Sequence, residues 1–502
     1  MSRIMSLIVF SLLVSSFAAP AAAQPTEGDT ASYQRLRERL RTRFLVVGEA
    51  PGQSMPAHIR SDDEGYIRWA DATIDLGWYI GVLATEHYLA ESLPGADVAR
   101  TRAELASALA AMERLDRSAD AFFPAPCSNT PALNGFFLRD DIPAGFHGSF
   151  SGLSQTRSDS LEPEPNFNEM SQDQAYHVLL GLALVKALVP AEVEVDGRRL
   201  NADAVAQATR ILRHIAARPD WVIRNPACGD RPVARGDAAG AYSRGTAAIA
   251  NFITDGAFVP EENILGTLWD LGRDPDAAFY RNVDNLHMIM AIAAVGDGWG
   301  DETLDVLVDL AVPQGWHVYP LLHRVIHGEA GSPRWCSLGA AAGDAAAAML
   351  GELPAGAEPR SPRPGGPAVH SFTSSNRFIR PAARAYVGPE GSAGHQFHGL
   401  DFMMLHNLLA IAFEVPVCGD PVTPPTDSGT GGPSDAGVAA DAAADAAADA
   451  AAGADGAAAG GGTPTGEMSG GCAVSAGRPL AAPWAGLVFV VGAALALRRR
   501  RR

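Results

Sequence analysis

Ala72-Thr-Ile-Asp-Leu-Gly-Trp78-Tyr-Ile-Gly-Val-Leu-Ala-Thr-Glu-His-Tyr-Leu89 places Ile74, Leu76, Trp78, Tyr79, Ile80, Val82 and Leu83 all the way round a helical wheel. A helix that is apolar on every side is buried on every side. Val178 to Val189, Ala247 to Phe252, Leu286 to Val295 and Met403 to Phe413 have the same character. Between them lie charged, amphipathic stretches: Tyr33 to Arg43, Val98 to Arg117, Ala202 to Ala217 and Glu302 to Ala311. Such helices cover a core with one face and meet water with the other.

Working outward, apolar spacing of three and four gives about twelve helical segments. They begin near Ser32, Tyr66, Asp97, Met170, Asn201, Asp237, Glu261, Asn282, Asp301, Trp316, Cys336 and Leu400. Strict alternation of the kind that marks strands is scarce. The alternation of outer and inner segments predicts an all-α body, an (α/α)6 toroid in which a ring of buried helices is wrapped by a second ring.

Asp71, Asp173, Asp284 and Asp401 stand near the starts of inner segments, at intervals of roughly 100 to 115 residues. An aspartate there can simply cap free N–H groups and suit the helix dipole. The two longest connections, Phe122 to Glu169 and Glu352 to Gly399, both enter inner helices. Long loops in a compact domain are usually functional. They predict a mouth over the inner-helix N-termini.

Acids and histidines converge on that end. Asp173 and His177 are four apart and share a helix face. Asp284 and His287 repeat the pairing at three. His395-Gln-Phe-His398-Gly-Leu-Asp401 closes the second long loop, with His406 beyond it, and Trp316, His317, Tyr319 and His323 open the fifth inner segment. Histidine exchanges protons near neutral pH, and a carboxylate can fix its tautomer. The alternative is a set of buried, hydrogen-bonded polar groups closing the end of the ring.

Asp159, Glu162, Glu164, Asn166, Asn168 and Glu169 are oxygen ligands of a kind suited to calcium. Their spacing is not that of an EF-hand, and a solvated acidic loop explains them as well. His395 and His398 with a carboxylate offer transition-metal ligand types. No H-E-x-x-H is present, and no metal is assigned. G-x-S-x-G, G-x-x-x-x-G-K-[ST] and strand-borne G-x-G-x-x-G are also missing, which argues against the usual α/β serine hydrolases and nucleotide-driven or nicotinamide enzymes.

The formal net charge of -18 argues against a nucleic-acid partner, whose phosphates would be repelled. Of five cysteines, Cys472 lies in the tail, leaving Cys127, Cys228, Cys336 and Cys418. An even set in an exported body reads as two disulfides, with three possible pairings. On the toroid, Cys127 and Cys228 share the mouth and Cys336 and Cys418 the opposite rim, which favours those pairs.

Residues 1–23 form a signal peptide, with Arg3 ahead of an apolar core from Leu7 to Phe17 and small residues at Ala21 to Ala23. An uncleaved anchor is the alternative. The body spans 24–419. The Ala/Asp/Gly/Pro-rich spacer 420–469, with Asp441, Asp445 and Asp449 four apart, has little to bury and reads as a disordered stalk.

Within 470–502, Gly471-Cys472 is followed by a small polar spacer, an apolar run from Leu480 to Leu497 and Arg498 to Arg502. This arrangement resembles the MYXO-CTERM sorting tail of myxobacterial surface proteins. The resemblance implies processing and lipid attachment near Cys472 by sorting machinery, and display at the outer surface. A plain C-terminal membrane anchor is the alternative.

The body resembles, by architecture alone, the (α/α)6 toroids that bacteria use on glycans. That resemblance implies a glycoside hydrolase or polysaccharide lyase with a polysaccharide or oligosaccharide partner. Asp173 would be first-choice acid or base and Asp71, Asp284 or Asp401 its partner. His177, His287 and His398 would orient these groups or take the proton in a lyase. Trp78, Trp316 and Tyr319 would form the sugar-binding wall. The rival reading is a non-catalytic surface binding or structural protein.

Overall fold

The computed structural model describes residues 24–69, 71–90, 93, 95–123, 133–162, 167–233, 243–261, 291–292, 294–296, 318–327, 333–360 and 395–412. All of these belong to the compact unit that ends at Pro424. The segment expected from Asp301, most of those from Glu261 and Asn282, and the signal, stalk and tail lie outside the described residues. No helix among the described residues is long and apolar enough to cross a membrane.

Helix formation starts earlier than the apolar pattern suggests, because the chain supplies a cap. Thr26 Oγ1 accepts from the Asp29 N–H, and the Asp29 carboxylate accepts from the Thr26 N–H. This capping box opens α1 (Glu27–Arg43). It is followed by α2 (Ala72–Tyr88), α3 (Val98–Phe122), α4 (Gln172–Leu188), α5 (Leu200–Ile215), α6 (Ser243–Thr254), α7 (Val318–His327), α8 (Pro333–Leu350) and α9 (Leu400–Ala412).

The division into buried and covering helices holds where it can be seen. α2 is buried from Ala72 to His87, α4 from Gln174 to Val185, and α9 at nearly every position. α1, α3 and α5 each bury one face. α2 packs on α3, α4 and α9, α4 on α5, and α9 on α1, α7 and α8. The α2–α4 crossing is close because glycine meets backbone. A Cβ on Gly181 would collide with the Gly77 carbonyl, and one on Gly77 with the His177 carbonyl.

The all-α expectation needs correction, since a four-stranded mixed sheet accompanies the helices. Its strands are β1 (Ile59–Ser61), β2 (Tyr66–Trp69), β3 (Gln155–Ser158) and, last in the chain, β8 (Gln396–Phe397), in the order β3-β2-β1-β8. Two small hairpins, β4 (Glu194–Val195) with β5 (Arg198–Arg199) and β6 (Arg224–Asn225) with β7 (Arg231–Pro232), stand apart.

In the larger sheet Ile59 opposes Arg68 and Phe397 in antiparallel pairs, while β2 and β3 run parallel with Tyr66 opposite Gln155. The segment expected to turn helical near Tyr66 is therefore a strand, and its helix begins at Ala72. β1 is three residues long and buries the polar Arg60 and Ser61 along with Ile59, so it carries no readable alternation. β3 and β8 come from the two long connections, so these loops meet at the β1–β2 hairpin, on the segments leading into α2, α4 and α9.

Candidate functional site

Sheet and helix ends meet at one carboxylate. His58 immediately precedes β1, His398 immediately follows β8, and Asp75 lies in the first turn of α2. His58 Nδ1 stands 3.1 Å from Asp75 Oδ2, and His398 Nε2 stands 3.1 Å from Asp75 Oδ1. All three side chains are fully buried. Burial alone would raise the Asp75 carboxyl, but the charges of His58 and His398 and hydrogen bonds from both hold it well below the usual carboxylate range. Burial lowers His398 despite Asp75, which keeps that ring neutral at pH 7.

The tautomers follow. The Leu400 N–H donates to His398 Nδ1 at 3.0 Å, so in the neutral ring Nε2 carries the proton and donates to Asp75. An ionised Asp75 only accepts, so His58 donates from Nδ1. The three ligand-type atoms lie within 4.8 Å of one another, a set that suits a metal by identity. A ligating nitrogen must surrender its proton, however, and the Leu400 N–H already occupies the other ring nitrogen of His398. The donor set therefore fits a carboxylate clamped by two imidazole N–H groups better than a metal centre.

Half-buried carboxylates flank this clamp. Asp71 takes the left-handed conformation (φ 54°, ψ 36°) just before α2, and its side chain makes no capping bond. A non-glycine residue held there stores strain, a frequent mark of functional positions. Its Oδ1 lies 3.5 Å from Gln174 Nε2 and 3.8 Å from Arg139 Nη1. Asp173, in the first turn of α4, accepts from the Gln174 N–H at 3.0 Å and from the Ser171 hydroxyl.

Arg139 is buried and held charged. Burial opposes the charge, but Asp159, Asp71 and Asp173 together outweigh it. Asp173 and His177 do meet, through the Asp173 carbonyl rather than its carboxylate, at 2.7 Å from His177 Nδ1. Burial pushes His177 down to about 4, so it is neutral at pH 7.

Asp401 opens α9 with its Oδ1 accepting the Phe402 N–H at 2.9 Å, while its buried Oδ2 has no hydrogen-bond partner. Burial, and to a smaller degree the Asp75 charge, push this carboxyl up to about 7. Thr73 Oγ1, Gln172 Oε1 and Gln174 Oε1 are also buried without partners. Unsatisfied polar atoms thus gather around the N-termini of α2, α4 and α9, where one ionised and one protonated carboxyl lie close enough to perturb each other.

A raised folded pKa means that the unfolded chain releases the Asp401 proton first. Stability therefore falls as pH climbs from about 4 towards 7. Asp401→Asn removes that term. It is expected to stabilise the protein by about 1–2 kcal/mol at pH 8 and by nothing at pH 4, less than the full shift because the amide stays partly unpaired. Thermal melts of both proteins across this range check it. A gap that does not widen with pH would mean that Asp401 is ionised in the folded protein.

The other expected residues divide. Trp78 and Tyr319 are fully buried in the core, so the expectation of sugar platforms is corrected there: neither ring has a face to offer. Asp284, His287, Trp316, Cys127, Cys418 and Cys472 lie outside the described residues. Cys228 is disulfide-bonded, and Cys336 falls on α8.

Of the oxygen ligands suited to calcium, Glu164 and Asn166 lie outside the described residues, and three of the others have separate partners: Asp159 has Arg139, Asn168 has Asp140, and Glu169 has Asn225 and Arg231. His58, Asp75, Arg139 and Asp140 were not anticipated. Asp75 had a signal, since a carboxylate inside a helix apolar on all sides must find a partner.

No family model matches the chain, and neither a curated protein nor a solved structure matches it.

Proposed function

We propose that residues 24–419 form an (α/α)6 toroid, displayed at a bacterial surface by the stalk 420–469 and a tail processed at Cys472, that hydrolyses glycans. The observation that carries this reading is the pair Asp71 and Asp173. They are half-buried carboxylates at the N-termini of two tightly packed buried helices, both within the electrostatic reach of Arg139. Around them Thr73, Gln172 and Gln174 hold buried polar oxygens without partners, the kind of atom a sugar hydroxyl satisfies.

Glycoside hydrolysis needs one carboxyl to protonate the leaving oxygen and another to act as base or nucleophile. Asp173 and Asp71 are placed to meet substrate. Asp75 with its two histidines is a positioning group that fixes strands and helix beneath them. Full burial of His177 and His398, each with a ring nitrogen already hydrogen-bonded to the backbone, favours carboxylate chemistry over a histidine-driven lyase. Deep burial of His58, Asp75 and His398 is what favours the second reading, a non-catalytic binding or structural ring.

A panel of bacterial and plant polysaccharides, followed by both reducing ends and the ultraviolet absorbance of unsaturated uronides, separates these readings. The expected result is new reducing ends without the absorbance. Both signals together would make it a lyase. Silence from protein shown to be folded would leave the non-catalytic reading.

A further inference from the structure

The far end of α2 holds a second polar cluster of a different kind. Arg37 of α1 bonds Glu86 through Nε and Glu104 through Nη2, each at 2.7 Å. Glu86 also accepts from the Tyr33 hydroxyl at 2.6 Å and from the Thr101 hydroxyl, and Glu104 from the Tyr79 hydroxyl at 2.6 Å and from Arg41 at 3.2 Å. Both carboxylates are therefore fully engaged. Arg37 is not: its Nη1 is buried and has no hydrogen-bond partner, although the side chain is 5% exposed. What the cluster has in surplus is a donor.

Beside that donor lies a cavity of about 260 Å³ between α1, the end of α2 and the start of α3. Arg37, Arg41, Arg100 and Thr101 line it together with the carboxylates of Glu86 and Asp97 and the apolar side chains of Leu93 and Ala96. Asp97 caps α3 there by accepting the Arg100 N–H at 3.1 Å, so the positive end of a helix of 25 residues opens at the cavity. Asp97 also pairs with Arg100 at 3.3 Å, but both side chains are half exposed, and such a pair is weak. Three arginines outnumber the two carboxylates of the lining, and the unpartnered guanidinium nitrogen of Arg37 asks for an acceptor.

We infer that this cavity binds a compact oxyanion, a carboxylate or a phosphate carried by a small molecule, held by Arg37 Nη1 and Arg100. The site is separate from the mouth. It lies at the Glu86 end of α2, whereas Asp71 and Asp75 lie at the other, and a helix of this length is about 25 Å long.

The test titrates the full chain with acetate and, separately, with inorganic phosphate at low ionic strength, by calorimetry and by thermal shift. Saturable binding is expected for at least one of them, weakened about tenfold by Arg100→Gln and abolished by Ala96→Phe, which fills the cavity. Neither substitution removes a hydrogen-bonding group of the Arg37–Glu86–Glu104 cluster, so both variants should melt close to the parent without ligand, and Asp173→Asn should bind the anion unchanged. Preference for acetate identifies a carboxylate ligand, and preference for phosphate a phosphorylated one. No saturable binding of either anion, or binding that survives both Arg100→Gln and Ala96→Phe, overturns the inference.

Discussion

Asp75→Ala is expected to lower the unfolding free energy by about 3–5 kcal/mol, the cost of removing one partner from a buried charged cluster. The substitution leaves the protons of His58 Nδ1 and His398 Nε2 without acceptors in a place where both rings are fully buried. Those two rings sit at the ends of β1 and β8, so the loss also unties the sheet from α2. Asp75→Asn keeps an acceptor oxygen for one ring and is expected to lose less. Urea denaturation measures both.

The pH dependence has a definite sign. The folded pKa of Asp75 is depressed, so its contribution is fully present above the ordinary carboxylate range. It is lost as pH falls through that range towards the folded value, and the gap between parent and Asp75→Ala should close under acid. A loss under about 1 kcal/mol at pH 7 would mean that the clamp is solvated and contributes nothing specific.

The buried helices were legible in the chain because burial on every side leaves no polar position to misread. Ala72 to Leu89 matches α2 to within one residue, and Met403 to Phe413 begins three residues inside α9. The sheet was not legible. Its strands are two to four residues long, β1 buries the polar Arg60 and Ser61 as well as Ile59, and β8 pairs with β1 across more than three hundred residues of chain. Local periodicity carries no trace of such a partner.

The site was half legible for a related reason. Asp71, Asp173, His177, His398 and Asp401 advertise themselves as polar residues at helix starts, where spacing can be read. His58 and Arg139 belong to loop and strand-edge segments whose position only the tertiary fold decides. The local capping explanation for the aspartates also fails in an instructive way. Asp71 makes no capping bond and sits in a strained conformation, whereas Asp401 does accept a nearby N–H yet keeps its second oxygen unpaired.

Asp173→Asn is expected to reduce glycan turnover by about 10²–10⁴-fold, the range for loss of a positioned general acid or base, with little change in stability. An amide oxygen can still accept the Gln174 N–H and the Ser171 hydroxyl, so α4 keeps its first turn. What disappears is the charge. The helix dipole loses an anion worth about 0.3–1 kcal/mol, and Arg139 loses one of three carboxylates around it. A thermal melt should therefore move by only a few degrees while the rate collapses, and KM should move far less than kcat because the hydrogen-bonding outline of the side chain survives. Asp71→Asn should show the same separation of rate from stability if the two carboxylates divide the roles of acid and base. Turnover that survives Asp173→Asn intact would remove this pair from the chemistry. Turnover lost together with the fold would make Asp173 a cap and nothing more.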